Sequence, residues 1–67
     1  QLTFKDIERT LLAYGFELVR QKGSHCIYRN QAGQMVSVPK RPGRKPLKLG
    51  TVRTIIKQSG LNPKNFI

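Results

Sequence analysis

The chain has 67 residues, with 13 Lys and Arg against three acids and a net charge of +10. A lone cysteine, Cys26, excludes an intramolecular disulfide, and with the lone His25 it excludes a four-ligand zinc site. The length predicts one domain over residues 1–67, with a small core held by packing or by a partner, since a chain of this size buries only about 60% of its unfolded surface.

Thr3 is a suitable N-cap with Asp6 three residues on, and Phe4, Ile7, Leu11 and Tyr14 repeat at helical spacing. This predicts a helix from Phe4 to Tyr14, ended by Gly15. Residues Phe16 to Gln21 read as a strand, Lys22-Gly23-Ser24 as a tight connection, and His25 to Arg29 as a second strand. Asn30-Gln31-Ala32-Gly33 has the composition of a turn. Gln34 to Pro39 reads as a third strand, with Val36 and Val38 on one face and Met35 and Ser37 on the other. A loop from Lys40 to Lys48 follows, punctuated by Pro39, Pro42 and Pro46. Leu49 to Ser59 reads as a second helix with Leu49, Val52, Ile55 and Ile56 on its apolar face, ended by Gly60. Asn62-Pro63 opens one last short turn. The expected class is α+β, in the order α-β-β-β-α, with a three-stranded antiparallel sheet and both helices on one face. That arrangement is the one used by double-stranded RNA-binding domains.

The charge is the strongest functional signal. Self-repulsion at +10 destabilises a compact state unless a polyanion or an acidic partner uses it, and nucleic acid is the usual polyanion. The Lys40–Lys48 loop carries Lys40, Arg41, Arg44, Lys45 and Lys48 with no acid, which points to ligand contact rather than to a merely solvated loop. No stretch approaches the roughly 18 apolar residues of a membrane span, and no secretory signal pattern opens the chain. An unpaired cysteine suits a reducing cytoplasm. The chain starts at Gln1 rather than Met, so a few residues are expected to precede it.

The three acids do not suit metal-dependent nuclease chemistry. Asp6 and Glu8 stand two apart on a helix and point to different sides, and Glu17 is alone on a strand. Neither a metal nor a cofactor is therefore expected. No phosphate-binding glycine loop is present, and Ser24 beside His25 is not a hydrolase triad. One reaction stays within reach. RNA carries its own nucleophile in the 2′-hydroxyl, so cleavage needs a base, an acid and positive charge on the phosphate. An imidazole supplies the base or the acid, and Lys or Arg the charge. His25 follows Gly23-Ser24 at a strand start, with Arg20 and Lys22 before it and Arg29 after it. The plain alternatives are a structural surface histidine, a turn glycine and a capping serine. Tyr28 and Cys26 are expected to pack in the core.

The run from Gly15 to His25, with the step Gly23-Ser24-His25, then Ile27-Tyr28-Arg29, resembles the HicA family of bacterial toxins. So do Val36-Ser37-Val38-Pro39, the basic loop, and the helix opening Gly50-Thr51-Val52-Arg53 with its continuation to Leu61. The resemblance implies a double-stranded-RNA-binding-like fold. It also implies a metal-independent mRNA interferase (an endoribonuclease of toxin–antitoxin and stress-response systems) and a HicB-type antitoxin that covers the active site. It places the family's catalytic histidine on His25 and its glycine on Gly23. Many members carry a second histidine directly after the first, where this chain has Cys26. Lys22, Gly23, Ser24, Arg29, Lys40, Arg41, Arg44, Lys45 and Lys48 are the expected RNA contacts. Two other readings stay open: a non-catalytic RNA-binding module of the same fold, and DNA binding through Arg53 and Lys57 of the second helix.

Overall fold

The computed structural model describes residues 2–41 and 44–66. The order is α1 (Phe4–Ala13), β1 (Glu17–Lys22), β2 (His25–Arg29), β3 (Met35–Pro39), α2 (Leu49–Ser59) and a final 3₁₀ turn (Pro63–Phe66). The strands form one antiparallel sheet with β2 in the middle, as the α-β-β-β-α reading expects. Pro42, within the predicted loop, lies outside the described residues.

The start of α1 is a reciprocal cap. The Asp6 backbone N–H donates to the Thr3 hydroxyl at 3.3 Å, and the Thr3 N–H donates to the Asp6 carboxylate at 3.0 Å. These bonds from Thr3, with help from Arg9, hold the Asp6 carboxyl below its ordinary range. At the other end the Phe16 N–H bonds back to the Leu11 carbonyl at 2.9 Å. Phe16 therefore closes the helix instead of opening the strand, and β1 starts one residue later than expected and runs on through Lys22.

Both helices cover the same face of the sheet. Phe4, Ile7 and Leu11 of α1 and Val52 and Ile55 of α2 share one buried cluster with Cys26, Tyr28, Val36 and Val38. Alternation along β2 and β3 sends these four strand residues inward. Two stripe residues do not join the core. Tyr14 is 49% exposed, because it sits at the helix C-cap, where the chain turns away and Phe16 enters the core. Leu49 is 64% exposed at the first position of α2, and Leu47 is buried in its place, its N–H bonded to the Leu2 carbonyl at 2.8 Å. The final turn adds Phe66 to the core, a contribution not legible from its neighbours in the chain.

A half-buried polar contact ties helix to sheet. The Tyr28 hydroxyl donates to the Glu8 carboxylate at 2.5 Å. Desolvation, and then this bond to an anion, push the Tyr28 phenol well above its ordinary value. The unfolded chain ionises this tyrosine near pH 10 while the folded chain keeps its proton. The linked stability is therefore fully present below about pH 10 and is lost as the pH rises above it. Replacing Tyr28 by Phe is expected to cost about 1.5–3 kcal/mol at neutral pH, the range for a hydrogen bond to a charged group. It should also flatten the alkaline loss of stability measured by denaturant titration between about pH 9 and 11.

Candidate RNA-binding and catalytic site

The sheet face turned away from the helices carries the histidine. Cross-strand partners share a face, so Lys22, His25 and Pro39 form one outward row across the three strands. Arg20, Ile27 and Ser37 form the second row, and Glu17, Arg29 and Met35 the third. A hollow on this face is lined by Arg20, Lys22, Gly23, His25, Ile27, Met35 and Ser37.

Two local features assemble it. The first is the connection of β1 to β2, which uses two residues, with a positive φ of 60° at Gly23 and none at Ser24. That is the pattern of a type II′ hairpin turn, whose first central position favours glycine. It lets His25 pair directly with Lys22. The second feature is a register shift between Leu18 and Arg20, which leaves Val19 as an extra residue in β1. An uninterrupted ladder from Glu17 would oppose Val19 to Ile27 and send Arg20 inward. The bulge instead puts both Arg20 and Lys22 on the histidine's face.

The structure divides the predicted contacts between two faces. Lys22, Gly23 and His25 line the open hollow, and Arg29 stands at the far end of that face. Ser24 sits in the turn, where its carbonyl accepts the Lys40 N–H at 2.5 Å. Lys40, Arg41 and Arg44 line a second groove on the helix side, with Phe4, Lys5, Glu8, Leu18, Gln21 and Cys26. The Lys40 ammonium lies 6.0 Å from the centre of the Phe4 ring, within cation–π range. Lys45 and Lys48 are exposed on the approach to α2 and line neither of these hollows. The basic loop is anchored by the Lys40–Ser24 bond at one end and by the Thr3–Pro46 bridge and the Leu47–Leu2 bond at the other. Sequence reasoning named Arg20 only as a neighbour of His25. The bulge that turns Arg20 outward has no distinctive residue to announce it.

Charge in these hollows is not internally neutralised. Among the described residues the one ion pair is Arg9–Asp6 at 3.2 Å, away from both hollows. No group of three His, Cys, Asp or Glu side chains among the described residues is placed to hold a metal ion. Cys26 is buried and turned to the helix side. A side chain at that position therefore faces away from His25.

Compared with known protein families, residues 4–61 match the one described as HicA toxin of bacterial toxin–antitoxin. The chain belongs to the HicA toxin family. It is thus the toxin of a toxin–antitoxin pair, and an antitoxin is its partner. No curated protein matches it closely enough to count as a relative. No helix among the described residues of this HicA toxin is long and apolar enough to cross a membrane.

The turn that presents His25 offers a direct test. A Cβ at Gly23 would meet no neighbouring atom within 4 Å, so the cost of Gly23→Ala is conformational rather than steric. It is expected to lower stability by about 1–2 kcal/mol in thermal unfolding. D-alanine introduced at position 23 by chemical synthesis, which accepts the positive φ, should restore it.

Proposed function

We propose that this HicA toxin is a metal-independent endoribonuclease that cleaves mRNA, with His25 as its acid–base group and residues 1–67 as one functional unit. The observation that carries the reading is the placement of His25 beside Lys22 and Arg20 in one outward-facing hollow. In this reaction the 2′-hydroxyl loses its proton and its oxygen attacks the adjacent phosphorus. The bond from phosphorus to the 5′-oxygen breaks, and that oxygen takes up a proton. An imidazole on the open face can take the first proton or give the second. Lys22 and Arg20 stabilise the charge that grows on the phosphate. No step needs a metal, since the nucleophile belongs to the substrate. Gly23 and Ser24 hold the turn at the edge of this site. Arg29, Lys40, Arg41, Arg44, Lys45 and Lys48 extend the positive surface along the RNA backbone. With Cys26 facing the core, the second proton-transfer group is not at position 26.

Expressed in bacteria, wild-type toxin should arrest growth and degrade mRNA. His25→Ala, with its circular dichroism unchanged, should lose at least about a hundredfold in cleavage, the lower range for an acid–base group. Products should end in a 2′,3′-cyclic phosphate and a 5′-hydroxyl, and EDTA should leave the rate unaltered. An equally active His25→Ala variant would refute the role of the histidine. Salt-sensitive RNA binding with no cleavage at any pH would instead favour a binding module.

The antitoxin in this reading is a HicB-type protein that covers His25 and sets acidic groups against the basic loop, and the shared compartment is the cytoplasm. Reversing Arg41, Arg44 and Lys45 to Glu should weaken the toxin–antitoxin complex by at least tenfold in calorimetric titration, with the largest loss at low salt. Unchanged affinity would exclude docking through this loop.

A further inference from the structure

The open sheet face is asymmetric in a way that the endoribonuclease reading does not require. Its β1 side carries Arg20 and Lys22. Its β3 side carries Met35, Ser37 and Pro39, with no charge at all. The middle strand places His25 at one end and Ile27 in the centre. The hollow between them has Ile27 and Met35 as its apolar floor and Ser37 at its margin. Met35 is 53% exposed there.

We infer that this face binds single-stranded RNA in a fixed orientation, its backbone along β1 against Arg20 and Lys22 and one base laid across Ile27 and Met35 toward Ser37. The inference rests on the RNA-cleaving reading and adds to it a subsite for the base and a direction across the sheet. Arg20 and Lys22 stand two residues apart, about 6.6 Å along the strand, which suits successive phosphates of an extended chain. From that line to Ser37 is two strand spacings, about 10 Å, the reach of a nucleotide from its phosphate to the far edge of its base. Glu17, on the third row of the same side, ends the cationic line. His25, opposite Lys22 on β2, lies one strand spacing from the phosphate line and beside Ile27, at the level of the sugar, where the 2′-hydroxyl belongs.

The chemistry of the floor selects a single strand. In a duplex the base faces are stacked on one another and cannot lie on a sheet. Here a half-buried isoleucine and an exposed methionine offer area to any base, without the aromatic ring that stacking platforms use. Ser37 supplies the polar contact. Its backbone N–H donates to the Gln58 side chain at 3.4 Å, and its side chain lines the hollow. Contact by area with one hydroxyl at the margin predicts tolerance of base identity with a modest preference at one position.

The test uses full-length toxin and a six-nucleotide RNA, 2′-O-methylated throughout so that it cannot be cleaved. Affinity is read by fluorescence anisotropy. An abasic site is moved through the oligonucleotide one position at a time. At one position it should weaken binding by about tenfold, equivalent to about 1.4 kcal/mol, and that sensitivity should vanish in the Ile27→Ala/Met35→Ala variant. Arg20→Ala should weaken every probe and reduce the salt slope by about 0.7, the value for one single-strand phosphate. A flat abasic profile on the wild type, or a duplex bound as tightly as the single strand, would overturn the base subsite and leave His25 cleavage standing. Binding to none of these RNAs, while an antitoxin segment still docks on this face, would overturn both the subsite and the RNA reading. The abasic profile needs no variant, so a variant that misfolds does not obscure the result.

Discussion

Tyr28 governs much of what this protein can present to its surroundings. Its ring is fully buried beneath both helices, and its hydroxyl is bonded to Glu8 of α1. Burying a phenol at the centre of the middle strand fixes which way every other residue of that strand points. Cys26 must follow it inward, and His25, Ile27 and Arg29 must face out. A slip of one residue would bury the histidine and two neighbours of the open face while exposing the tyrosine. The hydrogen bond to Glu8 raises the cost of that slip, because a buried phenol without a partner is expensive. The same contact that holds α1 to the sheet therefore keeps the His25 face open.

The cations depend on a different device. The edge strand β1 is exposed along its whole length, so burial does not choose its orientation as it does for β2. Its side chains are aimed by pairing with β2 and by the bulge at Val19. A bulge also blunts the pairing surface of an edge strand, which would otherwise recruit other chains. In this HicA toxin one extra residue thus aims Arg20 and Lys22 beside the histidine and makes an exposed edge less adhesive. The loop beyond β3 is tied down at both ends, which carries Lys40, Arg41 and Arg44 to the helix side of the sheet. The positive charge is therefore arranged as two surfaces meeting at the β1–β2 turn.

Much of this was legible from the residues alone, where the signal is local. Thr3 with Asp6, the bounds of β2 and α2, the Gly60 stop and the inward Val36 and Val38 all follow from short-range rules of capping, alternation and periodicity. The misplacements share one physical cause. Tyr14, Phe16, Leu47 and Leu49 sit at element ends, where periodicity has no following turn to constrain it and the path of the chain decides what is buried. Leu47 reads as loop and is core, and Leu49 reads as core and is exposed. Phe66 joins the core through tertiary packing alone.

The sequence by itself determined the element order, the one-sided core, the excess of positive charge and the Gly23-Ser24-His25 step that carries the family resemblance. Each depends on residues close together in the chain. Only the tertiary structure decided which cations stand with His25. Arg20 joins it through a bulge that no residue type announces, while Lys40, Arg41 and Arg44 are carried to the opposite side of the sheet. The reason is that the face of a strand residue is set by pairing register, and register is a property of two strands at once.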